Sequence, residues 1–538
     1  MLFVLNILLQ TPVLAEGGSV SWLDVALAAV PVVLLIVLMG FLKMAGHKSA
    51  LITLIAAVVI GLFAFHLPVG DVGLSLIYGV LKAIFPILII IIMAIFSYNV
   101  LVHTGKMEII KEQFSSISSD KCIQVLLLTW GFGGLLEGMA GFGTAVAIPA
   151  AILISLGFKP VFSAVTSLIA NSVATGFGAV GTPVKVLAEQ AGVTDIQTLS
   201  THVVLQLSPL MILIPFVLVF MTDPRLKALP KHILLSVIVG VVSLITQYIA
   251  AKYMGAETPA IMGSIASIVA IIIYARLTAT KEDKELKAKF PKRSFTEVAK
   301  AWSVYGLILL LVVLTSPLLP FRDVLAPLLT TVFSFDIFDV SAQADVARSV
   351  KISWLVDAGV LLFIGSIIGG LIQGAKIGSL FSLLGKVVKQ QQKTIITVCS
   401  LIALSSVMDF SGMISELGVA LALVTGSLYP LFAPTIGCLG TFLTGSDTSS
   451  NILFGKLQAS VATATGADPS WLAAANTAGA TGGKIISPQS IAVATSACGL
   501  QGKEGEIMKK AIPFALGYIV VAGLMVYFVP LIMGNILF

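Results

Sequence analysis

Apolar stretches of about 20 residues recur along this chain, and no other feature narrows its fold as far. They run over residues 22–41, 51–67, 74–102, 202–220, 233–250, 259–274, 304–319, 354–371, 395–408 and 512–533. A bilayer core offers no water to backbone amides, so a segment crossing it must satisfy them internally, as a helix does. Of the 538 residues 57% are hydrophobic and 11% charged, where a soluble domain carries about 25% charged. The expected fold is an all-α polytopic membrane protein with about 12–14 transmembrane helices. The formal net charge of +6 reflects Lys and Arg in loops, as membrane topology requires, so the lipid bilayer and not nucleic acid is the expected partner.

Polar interruptions of this apolar background are the next constraint. The run GSDTSSN, residues 445–451, puts an aspartate, an asparagine and four hydroxyls inside a long apolar region. An ionisable side chain at bilayer depth costs roughly 2.5–3.5 kcal/mol even on a lenient scale, so Asp447 needs a reason to be there. A second break, EGMAGFGT, spans residues 137–144. Non-helical backbone at that depth is tolerated only where protein buries it or a wet cavity meets it. Residues 123–185 and 405–489, both apolar but broken by Gly, Ser, Thr, Asn and Pro, therefore read as broken helices and re-entrant hairpins of a transporter.

Basic residues set the orientation. Lys43 and Lys48, Lys106, Lys111 and Lys121, Arg225, Lys227 and Lys231, the segment 276–300, and Lys503, Lys509 and Lys510 all fit one cytoplasmic face, with both termini outside. That threading gives the two halves opposite topology. ANSVATGFGAVGTP, residues 170–183, resembles ANTAGATGGKIISP, residues 475–488, and each follows a Gly-x-x-Pro. Two inverted repeats, 17–277 and 301–538, joined by a charged cytoplasmic linker, 278–300, are the expected organisation. Residues 321–351 read as an external interfacial helix or loop cover. Residues 1–16 read either as a signal-like segment or as an interfacial helix.

Glu137 and Asp447 are the candidates for proton coupling, because a desolvated carboxyl can hold and release a proton near neutral pH. The alternative is a structural ion pair with Lys484 or Lys185. Asp409, before the small polar break Ser411–Gly412, is a third candidate relay, and Asp357 a weaker one. For substrate, the interrupted helices matter: a half-helix begins with unpaired N–H groups and the positive end of its dipole, which suits a carboxylate. Asn171, Ser172, Asn476 and Thr477 read as residues of such turns, capping the half-helix or extending its donors. Gly141, Phe142, Gly143 and Thr144 of the first break join them, with Thr182 and Ser487 at matching positions of the two repeats. Ser446, Thr448 and Ser449 offer hydroxyls to a 2-hydroxy group, and Lys484 offers a cation to a carboxylate or to Asp447.

Nothing reads as an enzyme. The five histidines stand singly, and Cys122, Cys399, Cys438 and Cys498 lack the spacing of a metal site or disulfide framework. No nucleotide loop or nucleophile elbow is present, and Asp409 and Asp447 lack the settings of an intramembrane protease. No cofactor and no metal are expected.

These same residues resemble the lactate permease family of bacterial monocarboxylate transporters. The motifs are GGLLEGMAGFGTAVAI (133–148), LGFKP (156–160), FSGM (410–413), LTGSDTSSNILFGKLQ (443–458) and AANTAGATGGKIISPQSIAVA (474–494). The resemblance implies import of lactate and related 2-hydroxy acids such as glycolate, proton symport, an inner-membrane location and an elevator-type carrier. It raises Glu137, Asp447, Asn171, Asn476, Thr477, Lys484 and Ser487, which sit in its motifs. The chain departs from the pattern at Asp409, where Asn is common, and at Met139 and Ala145, where Ala and Pro are commoner. A sodium-coupled carrier of the same fold, an anion channel and a membrane sensor are the competing readings.

Overall fold

The computed structural model describes residues 21–42, 44–141 and 143–537. The N-terminal segment 1–16, Lys43 and Phe142 lie outside them. Among the described residues, eleven helices are long and apolar enough to cross a membrane, or twelve if the bent pair Pro160–Thr175 and Gly178–Ala191 forms one span. Two further apolar helices, Thr144–Ser155 and Ala358–Ile372, are shorter than a full span. Ile55, Phe63 and Leu516 are more than half exposed, as expected of side chains that face lipid.

Ten helices and one hairpin build what matters for function. In chain order they are α1 (Val69–His103), α2 (Lys121–Met139), α3 (Thr144–Ser155), α4 (Pro160–Thr175) and α5 (Gly178–Ala191). Strands β1 (Thr330–Asp339) and β2 (Ala344–Ser353) follow. The second half adds α6 (Gln392–Phe410), α7 (Tyr429–Thr444), α8 (Asp447–Thr465), α9 (Pro469–Lys484) and α10 (Pro488–Ala497).

Local chemistry explains where these helices start and stop. The Asp120 carboxylate accepts from Cys122 N at 2.9 Å and opens α2, which then widens into a π-helical stretch at Leu126–Phe132. All of the apolar window of α2 is buried in protein, so this helix supports a site and not the lipid face. Ser446 Oγ accepts from Ser449 N at 3.3 Å, Asp468 from Trp471 N at 2.6 Å and Ser487 from Ser490 N at 3.2 Å, starting α8, α9 and α10. Both α4 and α9 begin with proline at the first helical position, where a missing N–H costs nothing. Helix α9 packs on α7 without spacing side chains: Gly479 and Gly483 face the backbone of Pro434 and Cys438, and a Cβ at either would collide with it.

The segment 321–351 corrects the sequence reading. It holds a short helix, Phe321–Leu325, and then an antiparallel hairpin in which Thr330 pairs with Ser353 and Asp339 with Ala344. The hairpin covers one end of the bundle. Phe335 meets the Tyr78 ring edge-on at 5.6 Å, Phe338 N donates to Asp71 Oδ1 at 3.1 Å, and Val340 N donates to the Phe410 carbonyl at 2.9 Å.

At the opposite end, the charged linker is tied down by two carboxylates, Glu112, which accepts from Arg293 Nη2 at 2.9 Å, and Asp283. Asp283 Oδ1 accepts from Ser119 N at 2.6 Å and from the Ser118 and Ser119 hydroxyls, while Oδ2 accepts from Thr280 N at 2.7 Å. Burial opposes its charge, but these donors outweigh it and hold the carboxyl well below the usual carboxylate range. A depressed value gives stability that is fully present above the ordinary pKa of about 3.9 and is lost as pH falls through the folded value. The anchor is thus constant from pH 5 to 8, and Asp283→Asn is expected to speed proteolysis at residues 278–300 equally across that range. Unchanged cleavage would show that the linker is held by something else.

Candidate functional site

Four interrupted helices meet around one cavity of about 850 Å³. The first break follows α2: Glu137 lies in its last turn, and Gly141 and Gly143 take left-handed φ values of 61° and 85° to restart the chain as α3. The second separates α4 from α5, which are bent 49° to each other. There Ala179, Val180 and Gly181 form a left-handed turn with φ of 44°, 54° and 72°. A β-branched residue rarely adopts that conformation, at a cost of about 1–3 kcal/mol. Thr182 Oγ1 holds the turn by donating to the Ala179 carbonyl at 2.6 Å. The third break is Gly445–Ser446 between α7 and α8, and the fourth is Ile485–Ser487 between α9 and α10.

Two carboxylates and one amine face each other across this junction. Glu137 is 4% exposed and Asp447 3%. Thr441 Oγ1 donates to Asp447 Oδ1 at 3.3 Å, whereas Asp447 Oδ2 and Glu137 Oε2 have no hydrogen-bond partner among the described residues. Gly178 makes room for Glu137, since a Cβ there would stand 2.7 Å from Oε1. The half-buried Lys484 acts electrostatically on both carboxylates, and Asp447 acts on Glu137. Its Nζ also donates to the Gly445 carbonyl at 3.0 Å, tying the fourth break to the third. Helices α3, α8 and α10 all begin at the cavity, so their N-terminal dipoles add to the pull on an anion.

The residues singled out in the sequence divide into three groups. Glu137, Gly141, Gly143, Ser446, Asp447, Thr448, Ser449 and Lys484 line the cavity, joined by Thr175, Gly178, Ala179 and Pro183. Thr144, Thr182 and Ser487 stand beside the lining and stabilise breaks: Thr144 Oγ1 donates to the Gly141 carbonyl at 2.8 Å, and Ser487 caps α10. Asn171, Ser172, Asn476 and Thr477 are corrected, because they lie inside α4 and α9 and not in turns. The Ser172 hydroxyl donates to the Ile169 carbonyl of its own helix at 2.7 Å. The Asn171 amide faces Glu137, but neither of its polar atoms has a hydrogen-bond partner among the described residues.

Asn476 and Thr477 belong to a buried chain that the sequence reading left without a role. Tyr429 OH donates to Gln458 Oε1 at 2.8 Å, and Gln458 Nε2 reaches Asn476 Oδ1 at 3.3 Å. Asn476 Nδ2 donates to Asn451 Oδ1 at 2.9 Å, and Asn451 Nδ2 donates to Thr477 Oγ1 at 2.8 Å and to the Pro183 carbonyl at 2.9 Å. Asn451 thereby bonds the break of one half to the helices of the other. The signal was available: Asp447, Asn451 and Gln458 are spaced i, i+4, i+11, one face of a helix. Asn451→Ala strands several buried groups, each worth about 1–3 kcal/mol. A clear drop in melting temperature together with loss of uptake is expected, and an unchanged melt would remove Asn451 from this structural role.

Three other assignments change. Lys185 does not pair with either central acid; its Nζ meets Glu257 Oε1 at 2.8 Å, a carboxylate the sequence reading passed over. Asp409 is not at the cavity. It pairs with Lys456 at 3.4 Å in a separate depression beside the hairpin. Asp357 caps the helix Ala358–Ile372 through Gly359 N at 2.9 Å.

A profile of the L-lactate permease family matches residues 24–533. The chain is 39% identical over 449 residues to the L-lactate permease of Streptococcus iniae, spanning 83% of this chain and 93% of that protein. It is 33% identical over 534 residues to the glycolate permease GlcA of Escherichia coli K12, spanning 93% and 95%. Against the L-lactate permease of Bacillus subtilis 168 it is 31% identical over 537 residues, spanning 93% and 94%. Matches of this length, over a polytopic helical bundle whose broken helices enclose a charged cavity, mean that the chain belongs to the L-lactate permease family.

Proposed function

We propose that this protein is a secondary carrier that imports lactate and related 2-hydroxy monocarboxylates such as glycolate by proton symport across the bacterial inner membrane. The observation that carries this reading is the convergence of two buried carboxylates and one amine at the meeting point of four broken helices. The substrate carboxylate docks on Lys484 and the helix N-termini, and the hydroxyls of Ser446, Thr448 and Ser449 receive the 2-hydroxy group. Charge bookkeeping favours one proton per anion. With Glu137, Asp447 and Lys484 ionised the site carries a net charge of −1, and a bound monocarboxylate makes it −2. One proton taken up by either carboxyl restores −1, so the loaded and empty site cross the membrane with equal charge and equal desolvation cost.

The reading extends to motion. Residues 17–277 and 301–538 act as inverted repeats joined by the linker 278–300, with both termini outside, and the loaded region shifts as an elevator. The matched starts of α4 and α9, and the break that follows each, support that symmetry. The test is uptake of radiolabelled L-lactate and glycolate by proteoliposomes in sodium-free buffer under an inward proton gradient. Accumulation above equilibrium that a protonophore collapses is expected. Accumulation only when sodium is added, or simple equilibration without accumulation, sinks the symport reading.

A further inference from the structure

The hairpin end of the molecule holds a second polar cavity, of about 550 Å³, in which Asp409 was found. Its walls carry Lys82 of α1, Arg348 and Lys351 of β2 and Lys456 of α8, against two carboxylates, Glu189 of α5 and Asp409 of α6. Lys456 is engaged by Asp409 at 3.4 Å. Among the described residues, Lys82, Arg348 and Lys351 have no carboxylate oxygen within ion-pair distance. Two of them are instead positioned by aromatic faces and a carbonyl, which hold a cation in place without cancelling its charge. Lys82 Nζ stands 5.5 Å from the Tyr78 ring centre and donates to the Glu189 carbonyl at 3.4 Å, and the Arg348 guanidinium lies 5.7 Å from the Phe410 ring centre. Excess positive charge in a concave, protein-walled space concentrates small anions.

This cavity and the central one lie along the same three helices. Helix α5 gives Gly178, Ala179 and Pro183 to the central cavity and Glu189 and Gln190 to the other. Helix α6 gives Lys393 and Leu401 to the first and Ile402 and Asp409 to the second, and α8 gives Asp447 and Lys456. Nine residues of helix, about 13 Å, separate Asp447 from Lys456. The stretch between is packed shut: Val186, Leu187 and Ile452 are fully buried, and Ser405 Oγ donates to Gln190 Oε1 at 3.0 Å.

We propose that the hairpin-side cavity is a second anion site, which receives a small monocarboxylate on Lys82, Arg348 and Lys351 before it reaches the central site. The strand β2 thus contributes a binding residue, Arg348, and is more than a cover. The proposal rests on the carrier reading above, with the central site facing one side of the membrane and the receiving site the other.

The test compares wild type, Lys82→Gln, Arg348→Gln and Arg348→Lys. Initial rates of L-lactate and glycolate entry are measured from the hairpin face and, in vesicles of opposite orientation, from the other face, at low and high salt. For the two Gln variants, KM from the hairpin face is expected to rise about fivefold at low salt, the scale of one partly screened charge. Vmax from the hairpin face and KM from the other face stay at wild-type values. Vmax from the other face falls by the same factor, as detailed balance in a carrier requires, and the salt dependence of the hairpin-face KM weakens. Arg348→Lys keeps the wild-type KM. An unchanged KM, an equal rise from both faces, or a fall in Vmax alone overturns the receiving site while leaving the carrier reading intact. A wild type that moves neither acid overturns the carrier reading and this inference with it.

Discussion

Glu137→Gln is expected to abolish proton-driven accumulation of lactate while preserving exchange of internal for external lactate. The substitution keeps the side chain's shape, so the close fit against Gly178 survives, but it removes the only exchangeable proton at that position. Glu137 is almost fully buried, Oε2 has no hydrogen-bond partner among the described residues, and the Asn171 amide, the Lys484 charge and the Asp447 charge act on it. No other group at the end of α2 can take its place. If it is the carboxyl that balances the bound anion, net uptake under a proton gradient falls by about 10²-fold or more. That factor corresponds to roughly 3 kcal/mol, the low end for an uncompensated buried charge. Exchange, in which a loaded site returns loaded, needs no net proton movement and continues. A variant that still accumulates lactate in a protonophore-sensitive way would pass the coupling role to Asp447.

Much of this site was legible in the sequence because polar residues at membrane depth are costly and so seldom incidental. Gly445 and Ser446 end one helix and cap the next where GSDTSSN predicts a break, and Gly141 and Gly143 do the same for EGMAGFGT. What the sequence hid was long-range partnering. Asn171 and Asn476 look like turn residues because a polar amide in a helix interior is unfavourable in isolation. The helix accepts Asn476 because Asn451, 25 residues away, and Gln458, 18 residues away, meet its amide, and Asn451 in turn meets Pro183, 268 residues away. Asp409 was misplaced for the same reason: its depth was legible, but its partner Lys456 and the hairpin beside it were not. The hairpin itself left a readable trace. TVFSFDIFD alternates β-branched and aromatic residues with polar ones, and Ile337 is buried against the bundle while its neighbours are not. Its acidic residues and its position between spans drew the reading toward an interfacial helix instead.

Lys484→Met is expected to cost both net uptake and exchange, and that breadth separates it from Glu137→Gln. Lys484 is the cation shared by Glu137 and Asp447, and it ends α9 at the point where the chain breaks toward α10. A charge-assisted hydrogen bond from its Nζ to a substrate carboxylate is worth about 1.5–3 kcal/mol, which raises KM by roughly 10–100-fold when it is lost. Two further effects follow from the same removal. The Gly445 carbonyl loses its donor, loosening the link between two breaks, and the two carboxylates face one another without a cation. Lys484→Arg restores the charge but spreads it over a planar fork, so binding recovers in part while the bond to Gly445 is remade imperfectly. A double variant, Lys484→Met with Asp447→Asn, separates the contributions. If the lysine mainly compensates Asp447, the pair is better folded than Lys484→Met alone yet still fails to bind lactate, a non-additive melt with an additive loss of binding. Lactate affinity that survives Lys484→Met unchanged would remove the amine from substrate recognition and leave it a structural tie between α9 and the Gly445 turn.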